Sequence, residues 1–344
     1  MTGSKSVAAR VAKSRAVSTA AALLAGLVTS ALFVALTGRS PVRAFSALFS
    51  GALGSLDGLS EVAVKSCPLV LCGLAVALAF RAGLWNIGAE GQLLAGALAA
   101  AWVGPLWKGA PGLRAVAVTL CAASAAGAFW AWLAGLLRVK RGVNEVIGTI
   151  MLNFVAAALV GWVVQGPLME PGGAYPQTEA LPPAARLPRL FPGLRLHAGV
   201  FLALLGAALL GLVLRRTVFG FGVRAAGENP TAARVAGISV ERLWLGTMAL
   251  SGALAGLAGG IEVSAVTYRL YENFSPGYGF TGIAVALLGR LDPFGVLLAG
   301  LFFGVLEAGS NAMQRNADVS SVLVFVVQAT VILFLVALER RREG

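Results

Sequence analysis

Charge is scarce in this chain. Only 12% of its 344 residues are Asp, Glu, Lys or Arg, while 58% are hydrophobic; a soluble domain is about a quarter charged and half apolar. Mean hydropathy is +0.83, so a soluble globular domain is excluded and an integral membrane protein is expected. Histidine is confined to His197, and the three cysteines, Cys67, Cys72 and Cys121, all lie inside apolar runs. That excludes a disulfide framework and a zinc site, and it predicts buried thiols. The five lysines include none in a G-x-x-x-x-G-K-[ST] run, so the chain by itself cannot cradle ATP in that way. Nucleophile, base and oxyanion donors are nowhere grouped, which argues against an enzyme. The net charge of +12 comes without the interleaved basic and aromatic residues of nucleic-acid readers, and is better explained by orientation in a bilayer. Gly277-x-Gly279-x-x-Gly282 formally matches a dinucleotide fingerprint, but it follows no strand and leads into an apolar segment, so that reading is rejected.

What the chain does have is long apolar runs. They cover 16–37, 62–80, 90–107, 113–137, 144–165, 199–214, 243–266, 294–310 and 320–338, with a shorter one at 279–290. The expectation is an all-α integral membrane protein of about ten transmembrane segments, with both termini on one side. Lys5, Arg10, Lys13 and Arg15 precede the first run, and no convincing cleavage site follows it, so it reads as an uncleaved first helix. Arg138, Lys140, Arg141, Arg215, Arg216, Arg224, Arg234, Arg242 and Arg340–Arg342 fall on the same side as the N-terminus, which predicts cytoplasmic termini. The loop 166–196 carries Pro167, Pro171, Pro176, Pro182, Pro183, Pro188 and Pro192, and reads as an extended outer cap, serving either as a landing surface or as a plain connector.

The stretch 215–244, RRTVFGFGVRAAGENPTAARVAGISVERLW, is the longest basic interruption between apolar runs. Pro230 pushes Asn229 out of the α region, which predicts a turn at Gly227-Glu228-Asn229-Pro230. Small residues with good helix propensity then predict a short helix over 231–236, stopped by Gly237 in a left-handed cap. A rigid cytoplasmic knob is expected there.

Two stretches resemble each other. Gly83 to Gly88 and Gly277 to Gly282 both space glycines five apart, and each has a Leu-Leu pair downstream, Leu93-Leu94 and Leu287-Leu288. Repeated halves with broken helices at the midplane are a transporter pattern, here 62–165 and 243–338. Asn86, Glu90, Gln92 and Asn153, with Phe280 beside the second motif, are candidates for lining a pathway or for bonding helices together; polar groups at membrane depth are costly. Glu262 and Glu307 are two more carboxyls inside apolar runs. Asn144 and Glu145 follow Arg138, Lys140 and Arg141 directly, and read as a helix cap and first-turn acid at the boundary. Gly252, Gly256 and Gly260 line one helical face for close packing, within the chain or between subunits.

Four motifs carry a family resemblance: GLWNIGAEGQ at 83–92, RGVNEVIGTIMLN at 141–153, RAAGENPTAARVAGI at 224–238 and GFTGIAVALLG at 279–289. In this order they resemble the permease subunits of bacterial ABC importers for nucleosides and simple sugars, a group that includes ribose and branched-chain amino acid permeases. The resemblance covers the chain from about residue 60 onward and favours the nucleoside branch. It implies a single transmembrane permease domain over 1–344 with the type II importer fold, in the cytoplasmic membrane. It implies as partners an ABC ATPase, in this branch often with two fused nucleotide-binding domains, a second homologous permease and an external substrate-binding protein. ATP and Mg would be held by the ATPase, with no cofactor on this chain. The segment 215–242 then corresponds to the coupling segment, with Arg224, Gly227, Glu228, Asn229, Pro230, Ala233, Gly237 and Ile238 facing the ATPase. A stand-alone secondary transporter or channel is the alternative, and it gives no reason for such a knob.

Overall fold

The computed structural model describes residues 21, 24–109, 112–320, 322–323, 325–330, 333–334 and 337. Lys5, Arg10, Lys13, Arg15 and Arg340–Arg342 lie outside them, as do the start of the first apolar run and parts of the last. The described chain is helical: α1 (Leu24–Leu36), α2 (Pro41–Leu53), α3 (Leu56–Arg81), α4 (Ala89–Val103), α5 (Gly112–Arg141), α6 (Glu145–Gln165), α7 (Gly199–Arg216), α8 (Val218–Glu228), α9 (Pro230–Val235), α10 (Val240–Ile261), α11 (Tyr278–Leu288) and α12 (Pro293–Ala317). Six of these, α3, α5, α6, α7, α10 with its extension to Thr267, and α12, are long and apolar enough to cross a membrane. The runs at 90–107 and 279–290 form shorter helices, α4 with 15 residues and α11 with 11, against the roughly 20 a span requires. Pro105 turns the end of the first into a 3-10 turn, Gly104–Trp107, and glycines bound the second at both ends.

The chain divides into two compact units, 1–62 with 303–344 and 63–302. In the first unit, α2 was not anticipated as a helix, although its start is well marked: the Ser40 side chain accepts from the Arg43 amide, and Pro41 takes the first position. Its buried face, Ala44 and Leu48, packs with α12, where Gly309 lies against Leu48 and Ala312 against Gly51. Gln328 donates to Glu307 at 3.3 Å, and Arg39 is paired with Asp318.

In the second unit α3 runs through the middle. Residues 69–79 are buried on every face, as expected for a helix that is apolar all round. Around it α4, α5 and α10 meet backbone to backbone. Gly252 and Gly256 of α10 lie against Gly127 of α5, Gly96 of α4 lies against Gly256, and Gly259 lies against Leu93. The glycine stripe therefore packs within the chain, and no side chain separates these three helices where they cross. Cys67 and Cys72 are buried as expected, but Cys121 is exposed; an apolar run does not say which of its residues face protein and which face lipid.

Beyond α10 the helix widens into a π-turn, Glu262–Thr267, and ends at Tyr268 with φ 57°. The Pro-rich loop is strapped to this segment. Leu187 donates to Ser264 O at 2.9 Å, Leu181 to Tyr268 O at 2.7 Å and Thr178 to Leu270 O at 2.9 Å, and Arg269 pairs with Glu170 at 2.6 Å. The loop expected as an extended cap is thus bonded along its length to one neighbouring segment. His197 closes its far end: Nδ1 accepts from the Gly199 amide at 3.2 Å, and burial, with Arg195 adding to it, lowers its pKa to about 4.

Candidate transport cavity and coupling knob

The knob forms from local signals. Asn229 is extended at φ −156° and ψ 101°, as a residue preceding proline should be, and its side chain accepts from both Thr231 N and Ala232 N at 3.0 Å. Pro230 fills the first helical position, where its missing N–H costs nothing. After six residues α9 stops at Gly237, whose φ of +86° is open to glycine without strain. Gly237 N and Ile238 N donate back to Arg234 O and Ala233 O at 2.9 and 3.0 Å. The turn is two residues shorter than expected. Gly227 and Glu228 belong to α8, because Pro230 restricts only the residue before it and leaves these two free to stay helical.

Ala226, Ala233 and Val240 form a small core of the knob, covered by Ala225, Ile238, Leu243 and Trp244. Its outer face is Glu228, Asn229, Thr231, Ala232 and Val235, the last 87% exposed. Arg224 is half-buried. On the inner side, a Cβ on Gly227 would run into the Arg81 carbonyl, so α8 sits directly on the end of α3. Asp292 joins the same region. It accepts from Arg215 at 3.0 Å, lies 3.9 Å from Arg81, and caps α12 through Phe294 N and Gly295 N at 3.1 and 3.3 Å. Partial burial pushes its pKa up, but the Arg215 contact and the two amides outweigh this and hold it below the usual carboxylate value.

The polar residues at membrane depth divide into two groups. Asn86 and Gln92 are buried and bonded to each other at 3.1 and 2.8 Å; Asn86 also donates to Ser251 at 2.8 Å and accepts from Gly88 N at 2.9 Å. They stabilise the broken entry to α4 and do not face open space. The second group lines a cavity of about 510 Å³ between α4, α6 and the start of α11, formed by Glu90, Asn153, Phe154, Glu272, Asn273, Phe274, Ser275 and Phe280 among others. Asn153 bridges both roles, accepting from Gly91 N at 2.8 Å and donating to Ile87 O at 2.9 Å. It lies about 12 Å along α6 from Glu145. Glu90 receives the Gly279 amide at 2.7 Å, with Ser275 and the Phe280 amide as further partners. One broken helix thus caps the start of the other with a carboxylate, where the dipole favours negative charge.

Of the five pathway candidates, Glu90, Asn153 and Phe280 reach the cavity, while Asn86 and Gln92 stand behind it. The 272–275 side of the cavity was not anticipated, being a short loop with no periodic signal; nor was Phe154, an ordinary apolar residue in an apolar helix. Asn144 and Glu145 are placed as expected. Asn144 accepts from Val146 N at 2.8 Å, and Glu145 is buried and paired with Arg138.

Residues 58–335 match the family described as branched-chain amino acid transport system, permease component. The glucose ABC transporter permease protein TsgB13 of Haloferax volcanii is 41% identical over 327 residues, covering 92% of this chain and 86% of that protein. The guanosine ABC transporter permease protein NupP of Bacillus subtilis is 37% identical over 318 residues, 91% of each chain. The nucleoside ABC transporter permease protein NupB of Lactococcus lactis is 32% identical over 327 residues, 91% of this chain and 88% of its own. No solved structure matches significantly.

Proposed function

Because this chain belongs to the family of branched-chain amino acid transport system permease components, we propose that it takes up nucleosides or a related simple sugar as the membrane subunit of an ABC importer. It is a multi-pass protein of the cytoplasmic membrane, and a transport subunit rather than an enzyme. In our reading it pairs with a second homologous permease, receives substrate from an external binding protein, and is driven by a separate ABC ATPase, often one chain with two fused nucleotide-binding domains, that holds ATP and Mg. The chain crosses the membrane about ten times, in two pseudo-repeated halves and with both termini cytoplasmic.

The observation that carries this reading is the knob. A six-residue helix capped at both ends, with an exposed apolar Val235, shares a small core with α8 and α10, and α8 is seated on the end of α3. Such an element suits a cleft on a partner, and a solvated connector would have no use for it. ATPase states that bind the knob differently would bias the path between outward and inward openings, which is what coupling requires. The cavity, with exposed Phe154 and Phe280 beside Glu90, Asn153 and Glu272, suits a ligand with a flat face and several hydrogen-bonding groups.

Deleting 229–236, or replacing Gly227 or Glu228, is expected to abolish uptake while leaving the protein inserted, and the deletion also releases the co-purifying ATPase. Normal ATP-dependent uptake by the deletion variant in membrane vesicles would defeat the proposal, and transport by the purified chain alone in proteoliposomes would favour a secondary transporter. Uptake of labelled guanosine measured against labelled glucose assigns the substrate.

A further inference from the structure

We infer that Trp244 and Arg138 are positioning residues that tie the knob to the broken entry of α4, so that a displacement of α9 is passed to the transport cavity. This rests on reading α9 as the helix that docks the ATPase.

Trp244 lies in the second turn of α10 and is half-buried at the edge of the knob's core. Two guanidinium groups lie over its indole, Arg234 of α9 at 5.7 Å and Arg138 of α5 at 4.5 Å from the ring centroid. Each arginine has its own acid. Arg234 pairs with Glu241 at 2.8 Å, and Arg138 pairs with Glu145. The Arg138 Nε is enclosed with no hydrogen bond among the described residues, so the ring and Glu145 are what hold that group. With each guanidinium paired to its own acid, both can lie beside one ring without net like-charge repulsion, and the indole is in contact with α5 and α9 together.

From this point two contacts reach the same short loop. The indole N–H donates to Ala82 O at 3.2 Å, and the Glu145 carboxylate accepts from Trp85 N at 3.3 Å. Gly227 lies against the Arg81 carbonyl just before this loop, and Gly83 within the loop lies next to Gly227. The loop 82–88 includes Ile87, whose carbonyl is held by Asn153 and which lines the cavity, and it leads into Glu90, which caps α11. A chain of named contacts therefore runs from the exposed helix to the cavity wall, and it passes through α5 and α10, which do not move apart easily where they meet at Gly127 and Gly256.

A purely structural role is the competing reading, because Trp244 also covers the knob's core. Arg138 separates the two: it lies on α5, outside that core, so Arg138→Gln removes the guanidinium over the ring and leaves every residue of the core and its cover in place. In the assembled transporter reconstituted with its ATPase and binding protein, Arg138→Gln and Trp244→Leu are expected to retain the ATPase and at least half of its hydrolysis rate. Substrate taken up per ATP hydrolysed falls about ten-fold, within the span of ordinary coupling effects. Arg138→Lys, which keeps a cation for both Glu145 and the ring, restores most of that ratio. Trp244→Phe keeps the apolar body and loses the bond to Ala82, so it gives an intermediate ratio and serves as the test where Arg138→Gln fails to insert. A wild-type ratio in Arg138→Gln and Trp244→Phe would overturn the inference, and so would loss of the ATPase from Arg138→Gln. Retention of the ATPase by the 229–236 deletion would instead overturn the docking reading on which this one stands.

Discussion

Replacing Asn229 with alanine removes one side chain and leaves two amides without their acceptor. The Asn229 side chain accepts from Thr231 N and Ala232 N at 3.0 Å each, and loss of such a cap costs about 1 kcal/mol, within a range of roughly 0.5–2. Elsewhere in a protein that sum would be absorbed. Here the helix has six residues, far fewer than the about 12–15 at which an isolated helix becomes even marginal, and its core is two alanines and a valine. A loss of about 1 kcal/mol shifts the balance between ordered and frayed knob about five-fold. Hydrogen exchange at Ala236, Gly237 and Ile238, whose amides donate into the last turn of α9, is expected to quicken by about that factor. Uptake in vesicles should fall in parallel, and Asn229→Asp, which keeps the acceptor, should restore both. If alanine and aspartate variants match the wild type in exchange and in uptake, the cap does not hold the knob and the reasoning fails.

Other outcomes follow from the same geometry. Glu90→Ala leaves the amides at the start of α11 uncapped inside the protein, a loss of about 1–3 kcal/mol for buried donors without their acceptor; uptake is expected to fall sharply, with Glu90→Gln intermediate, measured as initial rates at saturating substrate. Gly256→Leu places a Cβ within 2.9 Å of Gly127 Cα, overpacking at a cost of about 1–3 kcal/mol or more; a lower unfolding temperature in detergent is the readout, and an unchanged one would contradict the packing described. For Asp292 the folded-state pKa is depressed, so its stabilisation is present above the ordinary carboxylate value and is lost as pH falls through the lowered one. Asp292→Asn should therefore unfold earlier than wild type at pH 7, and the gap should narrow as pH falls below the ordinary carboxylate value; a gap that stays unchanged down to the acid limit of the fold would rule out the ionised pair as its source.

The knob was legible because its instructions are local. Asn229, Pro230 and Gly237 act through their own backbone preferences, and no distant partner is needed to read them. The preceding helix α8 was not legible: Gly220, Gly222 and Gly227 weaken helix propensity, and what permits them is close approach, Gly220 on Leu214 and Gly227 on Arg81, which only the folded chain reveals. Helix α2 carried a readable start in Ser40 and Pro41, but at 13 residues it is too short to register as a span. The polar residues near α4 show a different limit. Sequence identifies Asn86, Glu90 and Gln92 as expensive in a membrane, but which one faces a cavity depends on neighbours at 149, 153, 251 and 279. Arg138 and Trp244 are 106 positions apart (244 minus 138), and nothing in either local pattern announces that they meet.

Contact made of bare backbone has a mechanical consequence. Helices that touch through interlocking side chains can slip by exchanging one set of grooves for the next, but where Gly127, Gly252 and Gly256 bring α5 against α10, and Gly96 and Gly259 bring α4 against it, the contact at these positions is with backbone. Sliding of these three helices past one another would therefore press backbone on backbone, so a change of shape is expected to meet less resistance at the loops that border them, 82–88 next to the knob and 268–277 next to the Pro-rich loop.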